Sequence, residues 1–581
     1  MRPGVARRLV LAVLLALSCA AAVAAPAASG ASASEAPVPV AASTTPPPGH
    51  RLSADQALAT ADALGKLRAV RSRYPGSYAG AYLKYPGRWQ VSYFSRDSRS
   101  EIAQVIISDA TGRVLEQWTG IQVAWSMARG YPGAFGRHAD ALYIWLPLCL
   151  LFMLPFIDPR RPFSLLHLDL LVLLSFSISL AFFNHAHIYA SVPLAYPPLI
   201  YLLIRMLVVI RPTRAGAAER HPPPRLSIST PWLALGVVFL LGFRIGLNVT
   251  DSNVIDVGYA GVIGAQRIVD GRALYGGYPA DNQHGDTYGP ATYEAYVPFE
   301  QIFGFGGTWD DLPAAHAAAI VFDLLAVALL FLLGRRVRGP DLGTALAYAW
   351  LAYPFTLFTL DSNSNDALVA VLVLAAVLFA SSPPARGALA ALASLSKLAP
   401  VALVPLLATH DLHERRAGAT PEELRRRVGR FAVFIAALLV TAALICIPAL
   451  LHDSLRTIYE RTIAYQANRG SPFSLWGLYG GLGGVQVAVQ IAAIVLAVVL
   501  ALVRRRPGVA GLAGACAAII IAVQLGVDHW FYLYIPWFFP LVMLALLGRV
   551  SDPQAGVAAA PSAAARSSRL AIAPSIRSGP P

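Results

Sequence analysis

Between residues 140 and 548 the chain alternates long apolar runs with short polar pieces. The runs fall at about 140–157, 165–183, 193–210, 231–247, 315–334, 341–360, 366–382, 388–408, 431–450, 486–503, 509–527 and 530–548. Most reach or approach the roughly 20 residues that a helix needs to cross a bilayer. Several of the polar pieces are rich in arginine: DPRRP (158–162), RPTRAGAAER (211–220), GRRVRG (334–339) and RRRPG (504–508). Short loops of this kind mark the cytoplasmic face. Threading the runs with these loops inside works until 388–408. That run is preceded by SSPPARG and followed by HDLHERRAGATPEELRRRVGR, which has six arginines against four acids, so both flanks read as cytoplasmic. Lys397 and Pro400 also sit in its middle, where lipid tolerates a charge and a helix breaker poorly. A re-entrant pair of half-helices resolves both conflicts, because irregular backbone is tolerated where protein buries it. The pattern predicts an all-α polytopic membrane domain over 136–548, with about twelve transmembrane helices plus a re-entrant pair.

The texture is different ahead of residue 136. Residues 1–25 carry Arg2, Arg7 and Arg8, then LVLAVLLALSCAAAVAA with the small residues Ala22-Val23-Ala24, as in a signal peptide or uncleaved signal anchor. The Ala/Ser/Pro-rich stretch 26–49 reads as a flexible linker. Over 50–135, SADQALATADALGKLRAV has helical spacing with Ser53 as its cap, and RWQVSYFS and AQVIISDATGRVLEQWTG read as strands with Asp-Ala-Thr-Gly as a turn. This order resembles a PepSY-type domain, a small α+β module that the leader would export. The tail 549–581, rich in Ala, Pro and Ser, predicts a disordered cytoplasmic segment.

Composition agrees with the pattern. Hydrophobic residues make up 56% of the 581 and charged ones only 13%, about half the charged fraction of a soluble domain. The formal charge of +14 invites a nucleic-acid reading. Its concentration in short inter-helix loops assigns it to membrane topology instead, so no nucleic-acid partner is expected. Of four cysteines, Cys19 lies in the leader and Cys149, Cys446 and Cys516 lie in apolar runs, with neither disulfide nor zinc spacing.

Charge matters more in the segments that this threading puts outside the cytoplasm: 248–314, 361–365 and 451–485. Between 251 and 311 there are nine acids and two bases, Arg267 and Arg272, a net of −7 in a chain of +14. The positive-inside bias explains the lack of arginine there but not the order of the residues. Asp256-x-x-Tyr259, Gly271-x-x-x-Tyr275 and Tyr288-Gly-Pro290 follow a long apolar run. They resemble the first outer loop of the GT-C glycosyltransferases that use polyprenyl-phosphate sugars, above all family 87, whose pattern is D-x-x-Y, G-x-x-x-Y, Y-P-P. The likeness covers about 230–548 and continues in LSKLAPVALVPLL (395–407, like the family's K-x-x-P), NRGSPFSLWGL (468–478) and HWFYLYIPWFFP (529–540). It departs where Tyr288-Gly289-Pro290 replaces the double proline, and where DSNSND (361–366) stands in place of Gly-Gln-x-Asn.

The resemblance implies transfer of a sugar, mannose or arabinofuranose foremost, from a polyprenyl-phosphate donor to a cell-envelope glycan or glycolipid. The reaction would take place on the extracytoplasmic side, with the donor's chain among membrane lipids. Such a transfer needs a base to take the acceptor hydroxyl's proton, and positive charge to meet the departing phosphate. Asp256 is the first candidate base and Asp251 the second, with an ordinary solvated loop acid as the alternative for either. Arg267, Arg469, His529 and the family-like Lys397 are the candidate phosphate contacts. Asn365 and Asp366 read either as caps of the helix they begin or as a sugar-binding pair. Tyr259, Tyr275, Tyr288 and Trp476 complete the substrate-binding candidates; Trp476, with Trp530 and Tyr532, reads equally as part of an interfacial aromatic belt. No metal site is predicted: DNQHGD (281–286) has ligand-type residues without a scaffold, and a divalent cation is the one cofactor left open. The rival reading is a transporter or flippase of lipid-linked sugars. No pair of internal repeats supports it.

Overall fold

In the computed structural model the described residues are 37–548, apart from 85–86, 98–99, 130–137, 213–225, 280–281, 308, 310–311 and 413–419. The leader of 1–25 and the tail of 549–581 lie outside them.

The N-terminal module is a five-stranded antiparallel meander, β1 (Val38–Val40), β2 (Tyr78–Lys84), β3 (Arg88–Phe94), β4 (Glu101–Ser108) and β5 (Val114–Thr119), paired in chain order. Helices α1 (Ala54–Asp62) and α2 (Gly65–Arg73) cover one face, where Ala54, Ala57 and Ala61 meet Trp89, Val91, Ala103 and Val105. Two details depart from the sequence pattern. The expected single helix breaks at Leu64, where Gly65 supports helix weakly and Asp62 turns aside to Arg71 and Tyr93, both at 2.8 Å. The stretch read as a linker contributes β1, whose Val-Pro-Val suits an edge strand. In the Asp-Ala-Thr-Gly turn, Asp109 accepts bonds from the Leu52 amide (3.0 Å) and the Trp89 indole (2.9 Å), tying turn to helix. Helix α3 (Ile121–Arg129) then docks the module on the bundle: Trp125 is buried and its indole donates to the Phe183 carbonyl at 2.6 Å.

The bundle follows as α4 (Leu142–Met153), α5 (Leu165–Asn184), α6 (Ile188–Leu194), α7 (Tyr196–Val209) and α8 (Thr230–Asp251). A loop region carries α9 (Asp256–Val269), α10 (Pro290–Glu294) and α11 (Val297–Phe303). Then come α12 (Pro313–Arg338), α13 (Pro340–Ala352), α14 (Pro354–Asp361), α15 (Asp366–Leu378), α16 (Pro383–Ser396), α17 (Val404–Ala408) and α18 (Pro421–Leu450). A second loop region holds α19 (Leu455–Tyr459), a π turn (Glu460–Ala464), α20 (Tyr465–Asn468) and α21 (Leu475–Leu478). The chain closes with α22 (Gly483–Leu502), α23 (Gly508–Leu525) and α24 (Ile535–Leu547). Among the described residues, seven helices are long and apolar enough to cross a membrane, and four shorter apolar ones accompany them. This is a multi-pass membrane protein.

Each predicted apolar run is helical, and the 388–408 run is a hairpin. Helix α16 stops at Ser396, and Lys397 is extended (φ −139°, ψ 154°). A 3₁₀ turn over Ala399–Leu403 and α17 lead back, so that Asp411 meets Arg386, near the start of α16, at 2.6 Å. Arg430 of α18 closes the same cluster at 2.8 Å. Both limbs therefore end among the arginine-rich loops, and the apex at Lys397 lies at the opposite end. Inside the bundle, Arg244 and Asp323 pair at 2.6 Å, and Trp350 donates to the same carboxylate, joining α8, α12 and α13. Helix α15 is short: its 13 residues span about 20 Å against about 39 Å for the 26 of α12. The first residue of α15, Asp366, is buried at the end away from the arginines, and the candidate residues that converge on it outline a recess that the exposed Asp256 opens to solvent.

Candidate active site

The recess is built around a bend. Asn253 and Ile255 donate from their backbone to the carbonyls of Asp361 and Ser362, both at 3.1 Å, so the segment after α8 is zipped to the α14–α15 connection. Gly258 lies so close that a Cβ there would meet the Asn363 carbonyl at 2.2 Å. This contact places the first residue of α9, Asp256, beside Asn365 and Asp366. A carboxylate at a helix N-terminus is favoured by the helix dipole. Asp256 is exposed to solvent, and the adjacent Val257 amide is the one described hydrogen-bond donor acting on its carboxylate. Its carbonyl is held by Asn282 at 2.9 Å.

Lys397 reaches the bend from the hairpin apex. Its ammonium meets Asp366 Oδ1 at 2.5 Å, and that oxygen also accepts from the Trp537 indole at 3.1 Å. The rings of Tyr288, Trp537 and Tyr534 surround the same ammonium at 5.1, 5.2 and 5.7 Å, in cation–π range. The apex is held from the side by α10. Thr292 donates to the Ser396 carbonyl at 2.7 Å, and Gly289 approaches Leu395 so closely that a Cβ would lie 1.9 Å from its carbonyl oxygen. Glycine between Tyr288 and Pro290 is thus required by the hairpin.

Arg469 enters from the second loop region, partly buried, and acts electrostatically on Asp256, Tyr288 and Tyr534. The enclosing protein raises the Asp256 carboxyl above the usual carboxylate range; Arg469 and Lys397 pull it back, and Asp366 pushes it further up. His529 accepts or donates one bond with Ser471 at 2.8 Å. Burial, then the charges of Arg469 and Lys397, lower its pKa well below the ordinary value, so it is neutral near pH 7.

The remaining sequence candidates sit elsewhere. Asp251 pairs with His138 of the module's connection at 2.6 Å, and belongs to a second polar network with Asp361. Arg267 is a brace: its guanidinium donates to the carbonyls of Ala273 (2.6 Å) and Gly277 (2.7 Å), holding the 271–277 loop. Tyr259 is buried and stacks on Trp309 at 4.8 Å. Tyr275 supports the recess from behind, its hydroxyl donating to the Tyr288 carbonyl at 3.0 Å. Trp476 donates to the Leu525 carbonyl at 3.0 Å, in the wall beside α23. Asn365 is buried in the bend with neither amide atom partnered. Sequence reasoning passed over Tyr534 and Trp537; their i, i+3 spacing at the start of α24 is the signal that puts both on one face. Among the described residues, no group of three or more His, Cys, Asp or Glu is placed to hold a metal.

Residues 287–527 match glycosyltransferase family 87. The matched stretch contains Tyr288, Asn365, Asp366, Lys397, Arg469 and Trp476, while Asp256 lies upstream of it and His529 just beyond it. No curated protein matches the chain. Among solved structures it is similar to ArnT from Cupriavidus metallidurans bound to undecaprenyl phosphate, at 18% identity over 57% of this chain, with a TM-score of 0.39. The chain spans 62% of that protein's length. The stretch matched by the family model therefore holds the two cations, Lys397 and Arg469, and the segment before it holds the facing carboxylate of Asp256.

Proposed function

We propose that this protein transfers a sugar from a polyprenyl-phosphate donor to a cell-envelope glycan or glycolipid, with Asp256 as general base. The observation that carries the reading is the convergence of a solvent-reached carboxylate, held by no described side chain, with two cations, Lys397 and Arg469, in one recess. Asp256 takes the proton of an acceptor hydroxyl as its oxygen bonds to the anomeric carbon. The bond from that carbon to the phosphate oxygen breaks, and polyprenyl phosphate leaves. Lys397 and Arg469 meet the charge that collects on the phosphate. A pKa raised toward the working pH strengthens Asp256 as a base.

The donor's apolar chain also has a surface to follow. Leu398 and Val401, immediately after Lys397 on the hairpin, are exposed, so a phosphate at Lys397 continues naturally into an apolar tail. The site lies opposite the arginine-rich loops, which the positive-inside rule assigns to the cytoplasm, so the reaction belongs on the extracytoplasmic face. Mannose and arabinofuranose are the sugars the family likeness favours.

The test incubates membranes containing the protein with radiolabelled polyprenyl-phosphate mannose or arabinofuranose, with Asp256→Asn membranes as control. Label should appear in a glycan or glycolipid only with the unaltered protein. Label that crosses the membrane while still lipid-linked, with no product in either case, would overturn the reading in favour of a flippase.

A further inference from the structure

Arg469 is delivered by an arm, residues 455–468, that runs as α19, the π turn and α20 straight after the end of α18. Its inner face is fastened to the first loop region. Ile458 packs on the cluster of Leu274, Tyr275 and Tyr293; Arg461 meets Asp286 at 3.5 Å; Tyr465 stacks on His284 at 4.9 Å. Its outer face is apolar and bare: Leu455 is 75% exposed, Tyr459 55% and Ile463 46%. In an α-helix, residues four apart drift by about 40° around the axis. The wider π turn over 460–464 takes up that drift, which keeps Ile463 in line with Leu455 and Tyr459, and Tyr465 in line with Arg461. Arg456 and Glu460, paired at 2.7 Å, form a polar edge between the two faces.

Two observations say what covers this stripe. It continues, through Leu451, the exposed side of α18 formed by Leu439, Val440, Leu444, Ile447 and Leu450, which belongs to a helix long and apolar enough to cross the membrane. At the same end of the bundle, Tyr143, Tyr189 and Tyr479 are exposed at or near the helix ends, the position of an interfacial aromatic belt.

We propose that residues 455–468 form a strap lying in the headgroup–acyl boundary of the bilayer, with Leu455, Tyr459 and Ile463 in lipid. An amphipathic helix with one apolar and one polar side seats at this depth. The bilayer then presses the strap onto the 274–286 loop and holds Arg469 at the recess. Lipid is part of what positions this cation.

The test uses the full-length protein with its cysteines replaced, single spin labels at 455, 459, 463, 456 and 460, and nanodiscs of phosphatidylethanolamine and phosphatidylglycerol. Labels at 455, 459 and 463 should collide more often with dissolved oxygen than with a water-soluble nickel chelate, and labels at 456 and 460 the reverse. Nickel collisions dominating at all five positions would overturn the proposal by putting the strap in water. Protection of 455, 459 and 463 from both reagents would overturn it by showing that protein covers the stripe. None of these readings depends on transfer activity, so they stand or fall apart from the proposed reaction.

Discussion

Replacing Lys397 by Met separates the two tasks that the structure gives this lysine. Asp366 is 1% exposed, and both of its side-chain contacts, the Lys397 ammonium at 2.5 Å and the Trp537 indole at 3.1 Å, fall on one oxygen. Lys397→Met leaves a buried carboxylate with a single neutral donor. Breaking a buried ion pair from one side costs about 3–5 kcal/mol, a large share of a net stability of about 5–15 kcal/mol. Adding Asp366→Asn removes the stranded charge. The introduced methionine still packs on three aromatic rings, and sulfur–aromatic contacts are worth about 0.3–1.5 kcal/mol each. The double variant should therefore recover most of the lost stability. Donor affinity should not recover, because a charged hydrogen bond to phosphate, about 1.5–3 kcal/mol, has gone in both variants. That is a loss of about 10- to 150-fold in Kd. Thermal unfolding in nanodiscs and binding of polyprenyl-phosphate sugar read the two effects separately. A double variant that binds donor as tightly as the unaltered protein would refute the phosphate role and leave Lys397 as the partner of Asp366 alone. A single variant with unchanged unfolding would refute the buried ion pair.

Asp256→Asn should lower turnover at saturating acceptor by about 100- to 10,000-fold, with donor binding unchanged. Its folded-state pKa is raised, so the proton-bound form is favoured by folding and any stability from it is lost as pH rises; unfolding near neutral pH should therefore be no easier in the Asn variant. Arg469→Gln removes the strongest influence that lowers the Asp256 pKa, so the acid limb of the kcat/KM profile should move to higher pH; a fixed limb would show that another group titrates. Gly258→Ala forces a Cβ against the Asn363 carbonyl and should cost about 1–3 kcal/mol as overpacking, with turnover falling because Asp256 shifts. Gly271→Ala, at φ +62° with nothing within 4 Å, should cost about 1–2 kcal/mol of backbone strain and leave turnover intact.

The bundle was legible because each span writes its own signal locally. Apolar runs fixed the helices, and the charge and proline at Lys397 and Pro400 gave away the hairpin, since both violate what lipid accepts. The candidate site was legible in part as an arrangement of residues. Asp256, Tyr288, Asp366, Lys397 and Arg469 were named from the sequence and do meet in one recess. Arg267 and Asp251 carry the right chemistry at plausible positions, yet Arg267 is consumed by carbonyls of its own loop and Asp251 by His138. Nothing in residue type or spacing announces that a side chain is already spoken for. Trp537 closes on Asp366 from 171 positions away, a pairing that only packing creates.

The hairpin also decides a matter of parity. A count of hydropathy peaks scores twelve and, twelve being even, puts the beginning and the end of the membrane domain in the same compartment. One peak turns back on itself, so an odd number of passages remains. The structure agrees: His138 pairs with Asp251 at the end of α8 that leads into the 253–314 loop region, whereas Gly548 packs near Val337 and Ala510 among the arginine-bearing loops. Reporter fusions made before residue 138 and after residue 548 therefore belong in opposite compartments, and a topology map that treats every peak as a passage assigns one of the two to the wrong side.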